Sequence, residues 1–315
     1  MKIVFLDAAT LGGTSLLPIG ALGELTVWGT SSPEEAVARV RDADILIVNK
    51  IKVTAALMDA APELKLICEA ATGVNNIDIE AAEERGISVK NVAGYSTASV
   101  VQLTFALILG LVNQTSRFDA FVKSGGYSRC GLFTDPANPS GELYGKTLGI
   151  IGMGAIGTRV AQVGQAFGMK PVWFSTSGTG HNHDYPCLAL EELLGSSDVV
   201  SIHCPLTERT KGLIGEAELA LMKPDAILVN MARGGIVDEG ALSDAVGNGR
   251  IGGAAMDVFT SEPIPEDNPL LHCRRPERLL LTPHVAWASG EAMARLVDGI
   301  AENIRAFLQN RQQMC

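Results

Sequence analysis

The sequence predicts an α/β protein made of two doubly wound parallel-sheet domains. Three observations carry this. Short apolar runs rich in branched residues alternate with helical patterns in two series along the chain. A turn-rich stretch from Gly125 to Gly145 separates the series. The second series opens on Gly152-Met153-Gly154-Ala155-Ile156-Gly157, set between a strand-like run and an amphipathic helix.

In the first series, Lys2–Leu6, Ile45–Val48, Leu64–Cys68 and Ile87–Val89 read as strands buried on both faces. Ser32-Pro33-Glu34-Glu35 supplies an N-cap, a first-turn proline and early acids for a helix reaching Val40. Asp78–Arg85 is a second helix, stopped by Gly86. Strand, helix and strand in repetition build right-handed βαβ units. Residues 91–116 carry no charge, but their densely apolar part runs only from Val100 to Val112. As a helix that part reaches roughly 20 Å, short of a ~30 Å hydrocarbon core. A buried connecting helix over about 97–112 is therefore expected.

The strands of the second series are Leu148–Ile151, Pro171–Ser175, Asp198–Ile202, Ala226–Met231, Gly253–Val258 and Leu279–Leu281. After the glycines, Val160, Val163, Gly164 and Phe167 fall at i, i+3, i+4 and i+7 on one helix face. The chain closes on a helix capped by Ser289, with Met293, Leu296, Val297, Ile300, Ile304 and Phe307 on one side.

Composition narrows the function. The 315 residues are 47% hydrophobic, enough for buried cores, and carry a net charge of -10 without a basic run. That excludes a phosphate-neutralising nucleic-acid surface. The six cysteines are scattered without a C-x-x-C pair, so neither a disulfide framework nor a structural zinc site is expected. His181, His183 and His272 sit in polar turns, and no metal site is assigned to them. MKIVFLDAAT is no signal peptide, and a cytoplasmic setting is expected.

In the glycine fingerprint, Gly152 makes a tight turn, Gly154 lets a pyrophosphate approach the backbone, and Gly157 packs helix on strand. Ala155 and Ile156 begin the helix whose N-terminus faces the phosphates. An acid about 20 residues on would bind the adenine ribose. Here the second strand ends Trp173-Phe174-Ser175-Thr176-Ser177-Gly178, all neutral. The repulsion that excludes a 2′-phosphate is absent, yet no Arg or Lys follows nearby to attract one. The cofactor expectation leans to NAD(H), with NADP(H) open, and Ser175 and Thr176 at its ribose.

Six collinear segments, ATGVNNID (71–78), GMGAIG (152–157), HCPLTERTKGLI (203–214), MARGGIVDE (231–239), DVFTSEP (257–263) and TPHVAW (282–287), resemble the D-isomer-specific 2-hydroxyacid dehydrogenase family. The resemblance covers roughly residues 65–300. It implies a flavodoxin-like substrate domain (1–98 plus 290–315) and an inserted Rossmann cofactor domain (99–289). It also implies hydride transfer between NAD(P)H and the C2 carbonyl of a small 2-keto acid, giving a D-2-hydroxy acid.

Reduction leaves negative charge on the carbonyl oxygen, and a histidine is suited to protonate it near neutrality. His284 is the expected acid. Glu262 resembles the carboxylate that fixes the ring tautomer and stabilises the imidazolium. Arg233 offers a planar fork to the substrate carboxylate. Backbone N–H groups of Thr72, Gly73 and Val74 would hold the same carboxylate. By resemblance, Asp257 lies near the nicotinamide carboxamide, Met231 and Ala232 line its site, and Cys204-Pro205 flanks the adenine. His203 is expected in a pocket wall, and Cys204 lacks an activating partner for nucleophilic work.

Glu262 argues against formate dehydrogenases, which carry Gln there. The serine-pathway phosphoglycerate dehydrogenases resemble the chain more closely; glycerate/hydroxypyruvate or glyoxylate reduction, or a lactate-type reaction, stays open within the family, and related corepressors that sense NAD(H) are the alternative reading. Family members are usually homodimers. Phe118, Phe121, Tyr127, Leu132 and Phe133 fall in a Gly/Pro-rich stretch suited to such an interface.

Overall fold

A computed structural model of the chain describes residues 1–178, 182 and 184–313; His181 and His183 lie outside the described residues. The chain divides into two compact units, Met1–Ser96 with Trp287–Cys315, and Thr97–Ala286.

The first unit holds β1 (Lys2–Phe5), β2 (Glu24–Val27), β3 (Ile45–Val48), β4 (Leu66–Glu69) and β5 (Ser88–Lys90). They form one all-parallel sheet in the order β2-β1-β3-β4-β5, a flavodoxin-like arrangement. β3 and β4 are buried at every position, which is why ILIV and LICE do not alternate with polar residues. β2 is an addition to the expected set. Its ELTV sequence lies mostly exposed at the sheet edge and has no continuous apolar run to mark it.

Local signals start the helices where expected. Ser32 Oγ accepts the Glu35 amide at 3.2 Å, and Glu35 Oε2 accepts the Ser32 amide at 2.8 Å, a capping box that opens helix Pro33–Arg39. Asp78 caps helix Ile79–Glu84, beyond which Gly86 takes φ +65°. Ser289 Oγ accepts the Ala292 amide at the start of helix Gly290–Gln313. That helix buries Ala292, Leu296, Val297, Ile300 and Ile304 among Ile3, Phe5, Ile45, Ile47 and Leu66 of the sheet.

The second unit holds β6 (Thr147–Ile151), β7 (Lys170–Phe174), β8 (Val199–Ile202), β9 (Ile227–Asn230), β10 (Gly253–Met256) and β11 (Leu279–Leu281). Their order is β7-β6-β8-β9-β10-β11, again all parallel. All six expected strands are present, with ends moved by one or two residues. A single parallel bridge, Trp173 to Cys187, extends the sheet beyond β7. The winding direction reverses between β6 and β8, the point where doubly wound sheets bind ligands.

Helix Thr97–Asn113 buries Val100, Val101, Thr104, Phe105, Leu107, Ile108 and Leu111, and ends where Gln114 turns to φ +51°. Among the described residues no single helix is long and apolar enough to cross a membrane. Helix Ala155–Ala166 buries Gly157, Val160, Ala161 and Gly164. The expected face is therefore rotated: Phe167 lies past the helix end and stacks on Phe105 at 5.5 Å. Glycines at 157 and 164 bring the helix backbone down onto β6, where a Cβ would overlap Gly152 and Leu148.

Candidate active site

Hydrogen bonds continue the second sheet's ladder past its strand ends. The Gly152 amide donates to Phe174 O, His203 to Ile151 O, Met231 to Ile202 O, Asp257 to Asn230 O, and Thr282 to Met256 O. The segments singled out from the sequence thus emerge side by side along one edge, the carboxyl ends of parallel strands.

The glycine turn after β6 has the geometry its three roles need. Gly152 sits at φ +95°, and a Cβ there would lie 2.8 Å from the Cys204 amide nitrogen, so the turns after β6 and β8 touch. Around Gly154 a Cβ would meet nothing within 4 Å, which leaves the helix N-terminus open to an anionic group. Gly157 packs directly on the Gly152 carbonyl. Residues 152–157 fit a dinucleotide pyrophosphate. Ser175 and Thr176 close β7 half-buried, with Ser175 Oγ 3.3 Å from Ser177 Oγ. A cation also reaches this place, though not from nearby sequence. Arg209, from the loop after β8, donates from Nη1 to Ser177 O at 3.4 Å.

Three turns position the polar trio. After β9, the buried Asn230 side chain accepts the Ala232 amide at 3.0 Å and donates to Arg233 O at 3.0 Å, clipping the Arg233 turn shut. Arg233 Nη1 donates to Ala232 O at 2.7 Å. No carboxylate pairs with that guanidinium among the described residues, so most of its donors stay available. Met231 and Ala232 beside it are buried.

After β10, Glu262 Oε1 accepts the Phe259 amide at 3.0 Å, and Oε2 lies 2.7 Å from His284 Nδ1. Nδ1 donates to this carboxylate, which turns Nε2 outward. Nε2 has no partner among the described residues, and the His284 side chain is 24% exposed. After β11, His284 stands at φ +53°, a left-handed conformation. Asp257, 1% exposed, holds that turn: Oδ1 accepts Thr282 Oγ1 and the Val285 amide, and Oδ2 accepts the Ala286 amide. Burial raises the Asp257 carboxyl above its usual range, against the lowering effect of those donors.

Sequence reasoning did not single out Asn230 or Glu239. Glu239 Oε1 accepts the Thr260 amide and Oε2 accepts Asn268 Nδ2, both at 2.6 Å, bracing the loop that carries Glu262. Its only sequence signal was its place at the end of MARGGIVDE. The other candidates are quieter. Burial pushes His203 down to about 3, so its ring is neutral; Nε2 pairs with Ser201 Oγ at 2.8 Å and Nδ1 is buried without a partner among the described residues. Burial pushes the Cys204 thiol up to about 11, which removes it as a nucleophile. Pro205 is exposed beside it. His272 is exposed, with Nε2 2.9 Å from Glu266 O.

Thr72, Gly73 and Val74 belong to the first unit. Thr72 Oγ1 donates to Val92 O at 3.1 Å, and Thr72 O accepts Asn91 Nδ2 at 2.6 Å. No partner takes the amide N–H of Thr72, Gly73 or Val74 among the described residues.

Comparison with known proteins gives one consistent answer. The family model described as "D-isomer specific 2-hydroxyacid dehydrogenase, NAD binding domain" matches residues 105–286. A glycerate dehydrogenase of Methylorubrum extorquens is 39% identical over 99% of this chain and 98% of its own. An acyclic imino acid reductase solved with NADPH and D-Arg superposes with TM-score 0.88 at 30% identity, covering 98% of each chain. A D-lactate dehydrogenase of Aquifex aeolicus, complexed with NAD and lactic acid, superposes with TM-score 0.85 at 29% identity, over 99% of this chain and 97% of its own.

Proposed function

The chain belongs to the D-isomer-specific 2-hydroxyacid dehydrogenase family, and from that premise we propose that Arg233, Glu262 and His284 serve the NAD(P)H-dependent reduction of a small 2-keto acid of the hydroxypyruvate or glyoxylate type to its D-2-hydroxy acid. The observation that carries this reading is the 2.7 Å Glu262–His284 pair with its outward Nε2, on the same sheet edge as the glycine turn and as Arg233, which has no carboxylate partner among the described residues.

Residues 152–157 and the end of β7 would hold the dinucleotide, with Met231, Ala232, Cys204 and Pro205 beside it. The chemistry supplied by the bound cofactor is hydride donation to the carbonyl carbon. Negative charge then develops on the carbonyl oxygen, and His284 Nε2 delivers a proton to it. Glu262 holds Nδ1–H and offsets the charge of the protonated ring. Arg233 binds the substrate carboxylate with two parallel N–H donors. Asp257 fixes the His284 turn through its bonds to Thr282, Val285 and Ala286, and would lie near the carboxamide of a bound nicotinamide.

The unpaired thiols of Cys68, Cys130, Cys187, Cys204 and Cys273 fit a cytoplasmic setting. Self-association belongs to the same proposal. Phe121 and Tyr127 pack edge to face, and Tyr127 Oη donates to Phe133 O. Leu132 and Phe133 stay 56% and 91% exposed, a patch suited to a second copy of the chain.

The test is Arg233→Lys. An ammonium cannot form the bidentate pair, so KM for hydroxypyruvate and glyoxylate should rise about tenfold or more, with dinucleotide affinity unchanged. An unchanged KM would remove Arg233 from the carboxylate.

A further inference from the structure

Arg209 lies in the loop after β8, apart from the Arg233, Glu262 and His284 turns. Its loop is built to hold it still. Thr210, 1% exposed, donates from Oγ1 to Pro205 O at 2.7 Å, and the same hydroxyl accepts the Thr207 amide at 2.8 Å. The Thr210 and Lys211 amides both return to Thr207 O. From this knot the Arg209 side chain crosses to the end of β7, 32 residues earlier, and its Nη1 touches Ser177 O at 3.4 Å, too long for a strong bond. Neither neighbouring Glu208 nor any other carboxylate pairs with Arg209 among the described residues.

The end of β7 is where an adenine ribose lies in a doubly wound sheet, and an acid there would repel a 2′-phosphate. This strand end instead presents Ser175, Thr176 and Ser177, with the Ser175 and Ser177 hydroxyls 3.3 Å apart. An open guanidinium beside neutral hydroxyls is a donor set matched to a phosphate dianion and wasted on a bare ribose hydroxyl.

We infer that Arg209, with the hydroxyls of Ser175, Thr176 and Ser177, forms a 2′-phosphate subsite, so that this chain binds NADP(H) more tightly than NAD(H). The inference rests on the dinucleotide reading above and adds which dinucleotide is preferred. Only the adenine end is involved, so the preference appears in binding without any turnover.

Titration of the full chain with NADPH and with NADH, followed by calorimetry, tests it. NADPH is expected to bind about tenfold or more tightly, and Arg209→Gln to erase most of that advantage by weakening NADPH while NADH changes less than about twofold. Arg209→Lys should retain part of the advantage, because charge survives without the fork. Equal affinities in the wild type, or an advantage that survives Arg209→Gln, would overturn the subsite while leaving the dehydrogenase reading intact. Failure of both dinucleotides to bind would overturn that reading together with the subsite.

Discussion

His284 adopts φ +53°, a left-handed conformation that costs a non-glycine residue on the order of 1 kcal/mol or more. The turn is overdetermined: the His284 amide donates to Asp257 O at 2.8 Å, and the Asp257 carboxylate takes three further donors around it. A lone histidine in a sequence shows none of this. His284 was legible only because TPHVAW resembles a family segment, while Asn230 and Glu239, which shape the neighbouring turns, are ordinary polar residues until the fold assembles them. Glu69 also has an unusual environment. It is fully buried at the end of β4, Oε2 accepts Asn76 Nδ2 at 2.9 Å, and Oε1 has no partner among the described residues. Burial, helped by the Asp7 carboxylate, pushes its pKa up to about 8 despite the Asn76 bond and Lys50. The folded state therefore holds this proton more tightly than the unfolded state, whose carboxyl titrates near the ordinary 4.5. The stability this gives is full below about 4.5 and is lost as pH rises to about 8. Glu69→Gln removes the penalty, so the variant should gain on wild type by up to about 1.4 kcal/mol per pH unit across that window. Urea unfolding of both proteins near pH 5 and near pH 8 checks this; a constant difference would mean that Glu69 is not protonated in the fold.

At the scale of elements, the buried strands of both sheets were readable because burial on two faces leaves an apolar run. Edge strand β2 was not, since ELTV needs only one half-covered side. The fingerprint helix buries Val160 and Gly164 of the expected face, while Phe167 lies past its end. Gly157 and Gly164 bring the helix close by being small, and the small Ala161 joins them on the buried face. The two glycines flanking the helix start should separate folding from binding. A Cβ at Gly157 overlaps the Gly152 carbonyl, whereas one at Gly154 has open space. Gly157→Ala should lower Tm by several degrees, while Gly154→Ala should keep Tm and weaken dinucleotide binding about tenfold or more. Melting curves beside binding isotherms decide it, and normal affinity in Gly154→Ala would mean that the open space is not the pyrophosphate cradle.

Over the whole molecule, the sequence pattern separated two α/β series but could not show which residues meet across distant loops. Arg209 illustrates this: the strand end at Ser175 has no cation in its own stretch of chain, and the fold delivers one from the loop after the next strand. The proposed self-association rests on the exposed Leu132 and Phe133. Sedimentation of the wild type should give two chains, and Leu132→Asp with Phe133→Asp should give one. A single-chain wild type would refute the interface.

The central claim is that His284, held by Glu262, protonates the substrate oxygen. Its most direct test is the rate of hydride transfer in a single turnover, with dinucleotide and hydroxypyruvate saturating, for wild type and His284→Ala. The account predicts a loss of about 10²–10⁴-fold with dinucleotide affinity unchanged within about twofold. A rate within about twofold of wild type would contradict it.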